Sequence, residues 1–199
     1  MKRLIVFGCS NTYGTGLSDC RDRNSPASIL GWPNELATMM GISTVINLGI
    51  GGASNKHISN SLLNKAGDDF FNPDTDVVVF LWSYFNRHCI FQDNREIERY
   101  KKIKKWYSNY NTSVDQQLSN YTRISHTQHY LNSKGITNYN FTCETYEYTN
   151  IPTWFDSNTL KIVDVVTLGS QYGKADDNEH PGVIANMHTA KIMYKHITK

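Results

Sequence analysis

Ser10 follows Gly8-Cys9 directly after the apolar run Leu4–Phe7. A hydroxyl on a sharp turn, close to backbone N–H groups, serves as a nucleophile when a base reaches it. The same placement suits an N-cap or turn serine. Near the other end stands Asp176-Asp177-Asn178-Glu179-His180-Pro181-Gly182. Asp177 and His180 are three residues apart at a helix entry. A carboxylate so placed can hold one imidazole nitrogen, fix the tautomer and stabilise the imidazolium while the other nitrogen faces a substrate. An acidic helix cap beside a loop histidine has the same spacing. Between them, Asn47-Leu48-Gly49-Ile50-Gly51-Gly52 packs three glycines into four residues. Such a loop lets the backbone approach a ligand and leaves N–H groups for a developing oxyanion, or it is simply a flexible connection. Asn86, in Trp82-Ser83-Tyr84-Phe85-Asn86-Arg87-His88, can donate its amide to the same oxyanion or close a turn.

These clusters need a scaffold that brings strand ends together. Leu4–Phe7, Thr44–Leu48 and the continuous, β-branched run Asp76–Trp82 read as buried strands. Trp32–Gly41 reads as a helix with Pro33 in its first turn and Gly41 as its stop, and Ser54–Leu63 as a second. That alternation implies a parallel sheet with helices on both sides. Ligands of such sheets bind beyond the C-terminal ends of the strands, where Ser10, the glycines and Asn86 fall. Further on, Asn94–Tyr107 is helical by composition, Ser113–Ser133 is a helix stopped at Gly135, and Thr137–Cys143 is a strand. Residues 144–176 read as loops with one short apolar run, Ile162–Val166. Apolar residues from Val183 to Ile197 mark a C-terminal helix packed on the sheet. No repeat or linker divides residues 1–199, so a single domain is expected, with a polar, aromatic-rich helical or loop segment at about 88–135.

Composition narrows the chemistry. The 199 residues carry 20 Lys+Arg and 18 Asp+Glu, a formal net charge of +2. A near-neutral chain does not depend on broad phosphate neutralisation, so no nucleic-acid partner is expected. The one basic, aromatic run, Arg99–Tyr107, reads as a solvated face. Charged residues make up only 19%. The low mean hydropathy of −0.49 therefore comes from uncharged Asn, Ser, Thr, Gln and Tyr. Cys9, Cys20, Cys89 and Cys143 lack CxxC spacing and read as free thiols rather than as a disulfide framework or a zinc site. His126 and His129 sit at i, i+3 without a matching carboxylate pattern, so no metal is expected. The segment Gly8–Gly16 has neither a Gly-Lys-[Ser/Thr] ending nor GxGxxG spacing. No apolar run reaches membrane-spanning length and no signal peptide is evident, which points to a cytoplasmic protein without membrane contact.

Taken in order, Ser after the first strand, Gly after the second, Asn after the third and Asp-x-x-His near the C-terminus resemble the SGNH, or GDSL-like, hydrolase superfamily. The resemblance spans residues 4 to about 195 but rests on four short blocks. It implies an α/β fold: a three-layer α/β/α flavodoxin-like sandwich with a mainly parallel central sheet. It also implies a serine esterase in which Ser10 attacks an ester carbonyl, His180 takes the proton and Asp177 orients His180. Ser10, Gly52 and Asn86 would hold the oxyanion, and no cofactor or metal would be required. Two blocks depart from the family pattern. Gly-Cys-Ser replaces Gly-Asp-Ser, and Tyr84-Phe85-Asn86-Arg87 replaces Gly-x-Asn-Asp. Gly51 remains an alternative to Gly52, and Asp176 to Asp177.

The aromatics and amides between Asn86 and Asp177, a stretch expected to frame the cleft, suit stacking on sugar faces and pairing with hydroxyls, although half-buried core and rim aromatics have the same composition. The leading substrate expectation is a small-molecule or carbohydrate ester, with carbohydrate O-acetyl esterase activity. The competing readings are a catalytically degenerate relative that binds a glycan or a partner, and a flavodoxin-like nucleotide-binding domain.

Overall fold

The computed structural model describes residues 1–199 except 22–23, 67–68, 88–89, 93–94, 98–112 and 144–150. Its centre is a five-stranded, all-parallel sheet in the order β2-β1-β3-β6-β7. The strands are β1 (Arg3–Gly8), β2 (Thr44–Gly49), β3 (Asp76–Trp82), β6 (Thr137–Thr142) and β7 (Leu160–Ile162). A separate antiparallel pair joins β4 (Ile90–Gln92) to β5 (Arg95–Ile97). The helices are α1 (Ser10–Tyr13), α2 (Trp32–Met39), α3 (Asn55–Ala66), α4 (Ser113–Ser133), α5 (Val165–Tyr172) and α6 (Val183–Ile197).

Alternation along the central strands builds two cores. Leu4 and Val6 of β1, with Val79 and Leu81 of β3, face Trp32, Leu36, Val165, Leu168, Ala185 and Met193 on α2, α5 and α6. Ile5 and Phe7, with Val78, Phe80 and Trp82, face Ile58 and Leu62 of α3 and Tyr121, Ile124 and Leu131 of α4. Phe80 stacks between Phe7 and Trp82, with ring centroids 5.1 and 4.9 Å away. Both faces of β1 and β3 are thus buried, which is why their sequences run apolar without a polar gap.

The strand order places the site. From β1 the chain moves outward to β2, then crosses back to β3 on the other side of β1. Connections leaving in opposite directions open a crevice at the C-terminal ends of β1 and β3. Ser10 follows β1, and residues 83–87 follow β3, so both lie at this crevice.

Two expectations about elements change. Arg95–Ile97 lies within the segment read as helical, yet it is a strand: pairing with Ile90–Gln92 supplies backbone hydrogen bonds that composition does not foresee. The rest of that segment, with the basic run Arg99–Tyr107, lies outside the described residues. The loop expected through 144–176 contains β7 and the two-turn helix α5. Its apolar run is β-branched and Gly169 is a poor helix former, both of which argue against helix. Asp164 nevertheless caps α5, accepting the Thr167 N–H at 3.0 Å, and Val165 and Leu168 are drawn into the core.

Candidate active site

Three backbone turns converge on one cleft. The first is the Ser10 turn. Cys9 has extended backbone (φ −93°), and Ser10 opens the four-residue α1. A half-buried asparagine bridge ties this turn to β2: Asn47 Nδ2 donates to the Thr12 carbonyl at 2.8 Å, and its Oδ1 accepts the Gly49 N–H at 2.9 Å. Ser10 is only 4% exposed, yet it borders two cavities.

The second turn carries the glycines. The Ala53 N–H donates to the Ile50 carbonyl at 3.1 Å, closing a turn with Gly51 and Gly52 at its tip. Gly52 has φ +79°, the left-handed conformation such a turn demands at that position. The tip N–H groups of Gly51 and Gly52 have no partner among the described residues. Both glycines line the larger cavity with Ser10, so the choice between them stays open.

The third is the Asp177–His180 turn. His180 Nδ1 lies 2.6 Å from Asp177 Oδ2, while Asp177 Oδ1 accepts the N–H groups of Glu179 and His180, each at 3.0 Å. One carboxylate therefore fixes both the loop and the ring. Burial pushes the Asp177 carboxyl up, but the His180 and Glu179 N–H groups and the His180 ring outweigh it and hold it below the usual range. Asp176 does something else: it pairs with Arg21 at 3.2 Å on an exposed surface. Gly16, at φ +85°, lets the preceding loop pass against Asp177; a Cβ there would overlap the carboxylate. Asn186 braces the following residues, donating to the Pro181 and Gly182 carbonyls at 3.0 Å and accepting the Trp32 N–H at 3.1 Å.

Ser10 and His180 face both cavities without a direct hydrogen bond between them. Contacts of this kind often close only around substrate. The smaller cavity, about 200 Å³, is walled by Tyr84, Val165, Val166, Gly169 and Pro181. The larger, about 580 Å³, is walled by Tyr13, Thr15 and the glycine loop. Among the described residues, these walls come from the segments around Ser10, Gly51, Arg87, α5 and His180. Of the stretch between Asn86 and Asp177, Arg87, α5 and Lys174 line these walls. Trp154 borders neither cavity, and Trp106 lies outside the described residues.

Asn86 is where expectation and geometry part. The Arg87 N–H donates to the Tyr84 carbonyl at 3.1 Å, so Phe85 and Asn86 form the tip of a turn. Phe85 is driven inward against Tyr121, with ring centroids 5.4 Å apart. Asn86 is left exposed and borders neither cavity. Arg87, one residue on, borders both. Its Nη1 donates to Ser83 Oγ at 3.1 Å, and its guanidinium lies 4.8 Å from the Tyr84 ring centroid. The signal for Arg87 in the sequence is the altered third block, Tyr84-Phe85-Asn86-Arg87. Cys9 lies behind this site, fully buried. The Cys143 thiol lowers its pKa, burial opposes, and the charge of Arg87 adds to the lowering. Burial pushes the Tyr84 phenol up to about 12, so it stands as a neutral hydroxyl beside Asn11. Among the described residues Cys9, Cys20 and Cys143 are not in disulfides. Among the described residues, no group of three metal-ligating side chains comes together, and no helix is long and apolar enough to cross a membrane.

Solved structures with the same arrangement of strands and helices include esterases. The psychrotrophic esterase EstA of a Pseudoalteromonas species superposes at TM-score 0.58 and 13% identity, over 100% of this chain and 97% of that one. The chain has the SGNH-hydrolase fold. The acetyl xylan esterase Est2A of the rumen bacterium Butyrivibrio proteoclasticus aligns at TM-score 0.60 and 10% identity, over 98% of this chain and 63% of that one. The M. smegmatis aryl esterase aligns at 0.51 and 11%, over 100% and 99%. No family model and no curated protein matches the sequence. The SGNH likeness is therefore one of fold, carried by three-dimensional arrangement at identities too low to transfer a substrate.

Proposed function

We propose that this SGNH-fold protein is a serine esterase that removes a short acyl group from a polar alcohol, with a carbohydrate O-acetyl ester as its leading substrate. The observation that carries the reading is the 2.6 Å contact between His180 Nδ1 and Asp177, which leaves Nε2 for the cavities that Ser10 borders. Ser10 Oγ attacks the ester carbonyl and gives its proton to His180 Nε2. The N–H groups of Ser10 and Gly52 receive the oxyanion, and His180 returns the proton to the departing alkoxide. Water repeats the sequence on the acyl-enzyme, releasing the acid and restoring the serine. Each such donor typically contributes about 3–4 kcal/mol in the transition state.

The two cavities support the substrate assignment. The small one, with its valines and Pro181, suits a short acyl chain, and the larger one, with the hydroxyls of Tyr13 and Thr15, suits a hydroxylated alcohol. Carbohydrate esterases are among the proteins of this fold. The test is covalent labelling by a fluorophosphonate together with hydrolysis of p-nitrophenyl acetate. Labelling that disappears in Ser10→Ala supports the reading. A folded protein that neither labels nor hydrolyses refutes it and favours a glycan-binding protein on the same scaffold. Acetyl esters are expected to turn over faster than octanoyl esters, and Gly169→Leu, which narrows the small cavity, to widen that gap.

A further inference from the structure

We propose that Arg87, rather than Asn86, is the third donor to the oxyanion, a role that rests on the esterase reading above. The turn after β3 decides which residue reaches the nucleophile. Asn55 clamps the start of that turn: its Oδ1 accepts the Ser83 N–H at 2.6 Å and its Nδ2 donates to the Ser83 carbonyl at 3.1 Å. Asn120 holds the next residues, donating to the Phe85 carbonyl at 2.9 Å and accepting from Asn55 at 2.9 Å. With Phe85 packed inward and Asn86 at the exposed tip, the chain returns at Arg87 to the cleft. There Arg87 borders the same two cavities as Ser10, the acyl-sized one and the glycine-loop one.

The guanidinium is positioned but not spent. Ser83 Oγ takes one Nη1 donor and the Tyr84 ring lies against its plane. Among the described residues no carboxylate pairs with it, and Nε and Nη2 have no hydrogen-bond partner. A planar fork with unused N–H groups, half-buried beside a nucleophile, matches the demand of a carbonyl oxygen that gains negative charge in the transition state. Ser10 N–H, the glycine-turn N–H and Arg87 then surround that oxygen. The charge of Arg87 supplies what Asn86, turned to the exposed tip, would otherwise supply as a dipole.

The experiment compares wild type, Arg87→Ala, Arg87→Lys and Asn86→Ala on p-nitrophenyl acetate, a neutral ester, with melting curves for each variant. For Arg87→Ala, kcat is expected to fall about 100- to 1,000-fold with KM changed less than about threefold, as for loss of an oxyanion donor. Arg87→Lys should recover part of kcat, and guanidinium chloride at low millimolar concentration should partly restore Arg87→Ala. If Arg87→Ala does not fold, Arg87→Lys and Arg87→Gln carry the same comparison, with Gln expected to lose more. The rate of fluorophosphonate labelling follows the same ranking and serves where the acetate is a poor substrate. An unchanged kcat in folded Arg87→Ala overturns the proposal. So does a larger loss in Asn86→Ala than in Arg87→Ala. A change confined to the KM of carboxylate-bearing esters overturns it in favour of a substrate-anion site. A wild-type protein that neither labels nor hydrolyses refutes the esterase reading instead.

Discussion

The two ends of strands β1 and β3 carry charge in opposite ways. At the N-terminal end, Arg3 meets Asp76 through two contacts, Nε–Oδ1 at 2.7 Å and Nη2–Oδ2 at 2.6 Å. Asp76 also accepts the Asn72 N–H at 2.9 Å and the Thr75 hydroxyl at 3.0 Å, and Arg3 donates to the Phe70 carbonyl at 2.9 Å. The Asp76 side chain is wholly buried and fully partnered. At the C-terminal end, Arg87 has no carboxylate among the described residues, and the glycine-turn N–H groups have no partner. Saturated polar groups hold a fold together, because each would be costly to leave alone. Unsaturated groups beside a nucleophile can be filled by a substrate. The difference separates a stability device from a proposed reaction site on the same pair of strands.

Substitutions can break that division, starting with the largest expected effect. Ser10→Ala should lower ester hydrolysis at least about 10⁴-fold, as loss of a nucleophile does. Its melting temperature should stay within about 2 °C of wild type, since among the described residues no hydrogen bond involves the hydroxyl. Asp177→Asn should cost about 10²- to 10⁴-fold in kcat, because the ring loses the partner that sets its tautomer. A kcat within threefold of wild type would show that Asp177 serves the loop alone. Arg3→Ala reverses the pattern. It strands a buried carboxylate and should cost about 3 kcal/mol, read by denaturant titration, while kcat stays unchanged. Loss of activity at equal folded fraction would erase the distinction between the two ends.

The smallest effect is the response to acid. Burial raises the Asp76 carboxyl, but Arg3, the Asn72 N–H and the Thr75 hydroxyl outweigh it and hold its pKa below the ordinary value. Asp177 is depressed in the same direction. In the window between the folded and unfolded values the unfolded chain binds more protons, so stability rises with pH there. The stabilisation is fully present above about pH 4 and is lost as pH falls through the lower folded value. Asp76→Asn should flatten that slope in melting temperatures measured from pH 5 to pH 2.5. An unchanged slope would mean that the ion pair does not set acid stability.

The uncharged polarity of the sequence has a structural use. Asn47, Asn55, Asn120 and Asn186 each bond backbone groups of turns that carry or brace candidate site residues. An amide offers both donors and acceptors without the cost of a buried charge, which suits a turn whose backbone groups lack strand partners. Composition shows that such residues are abundant. It does not show which of them lie in the site's supporting turns.

Much of the architecture is legible along the chain. Strands buried on both faces must be continuous and apolar, so β1 and β3 stand out; the half-buried edge strand β2 is legible from its β-branched run before the glycines, and α2, α3, α4 and α6 follow from periodicity, Pro33 and Gly135. Ser10, the glycine turn and Asp177–His180 are equally legible, because each depends on local spacing beside a strand end or helix entry. Folding alone sets the rest. α5 forms because Val165 and Leu168 find a core to enter, against their own preference for strand. The choice of Arg87 over Asn86 at the cleft depends on where a turn points. That direction is set by Tyr121, Asn55 and Asn120, residues distant in sequence that pack beneath it. A one-residue difference in a turn changes which side chain borders the cleft, and no pattern within the turn itself encodes what lies below.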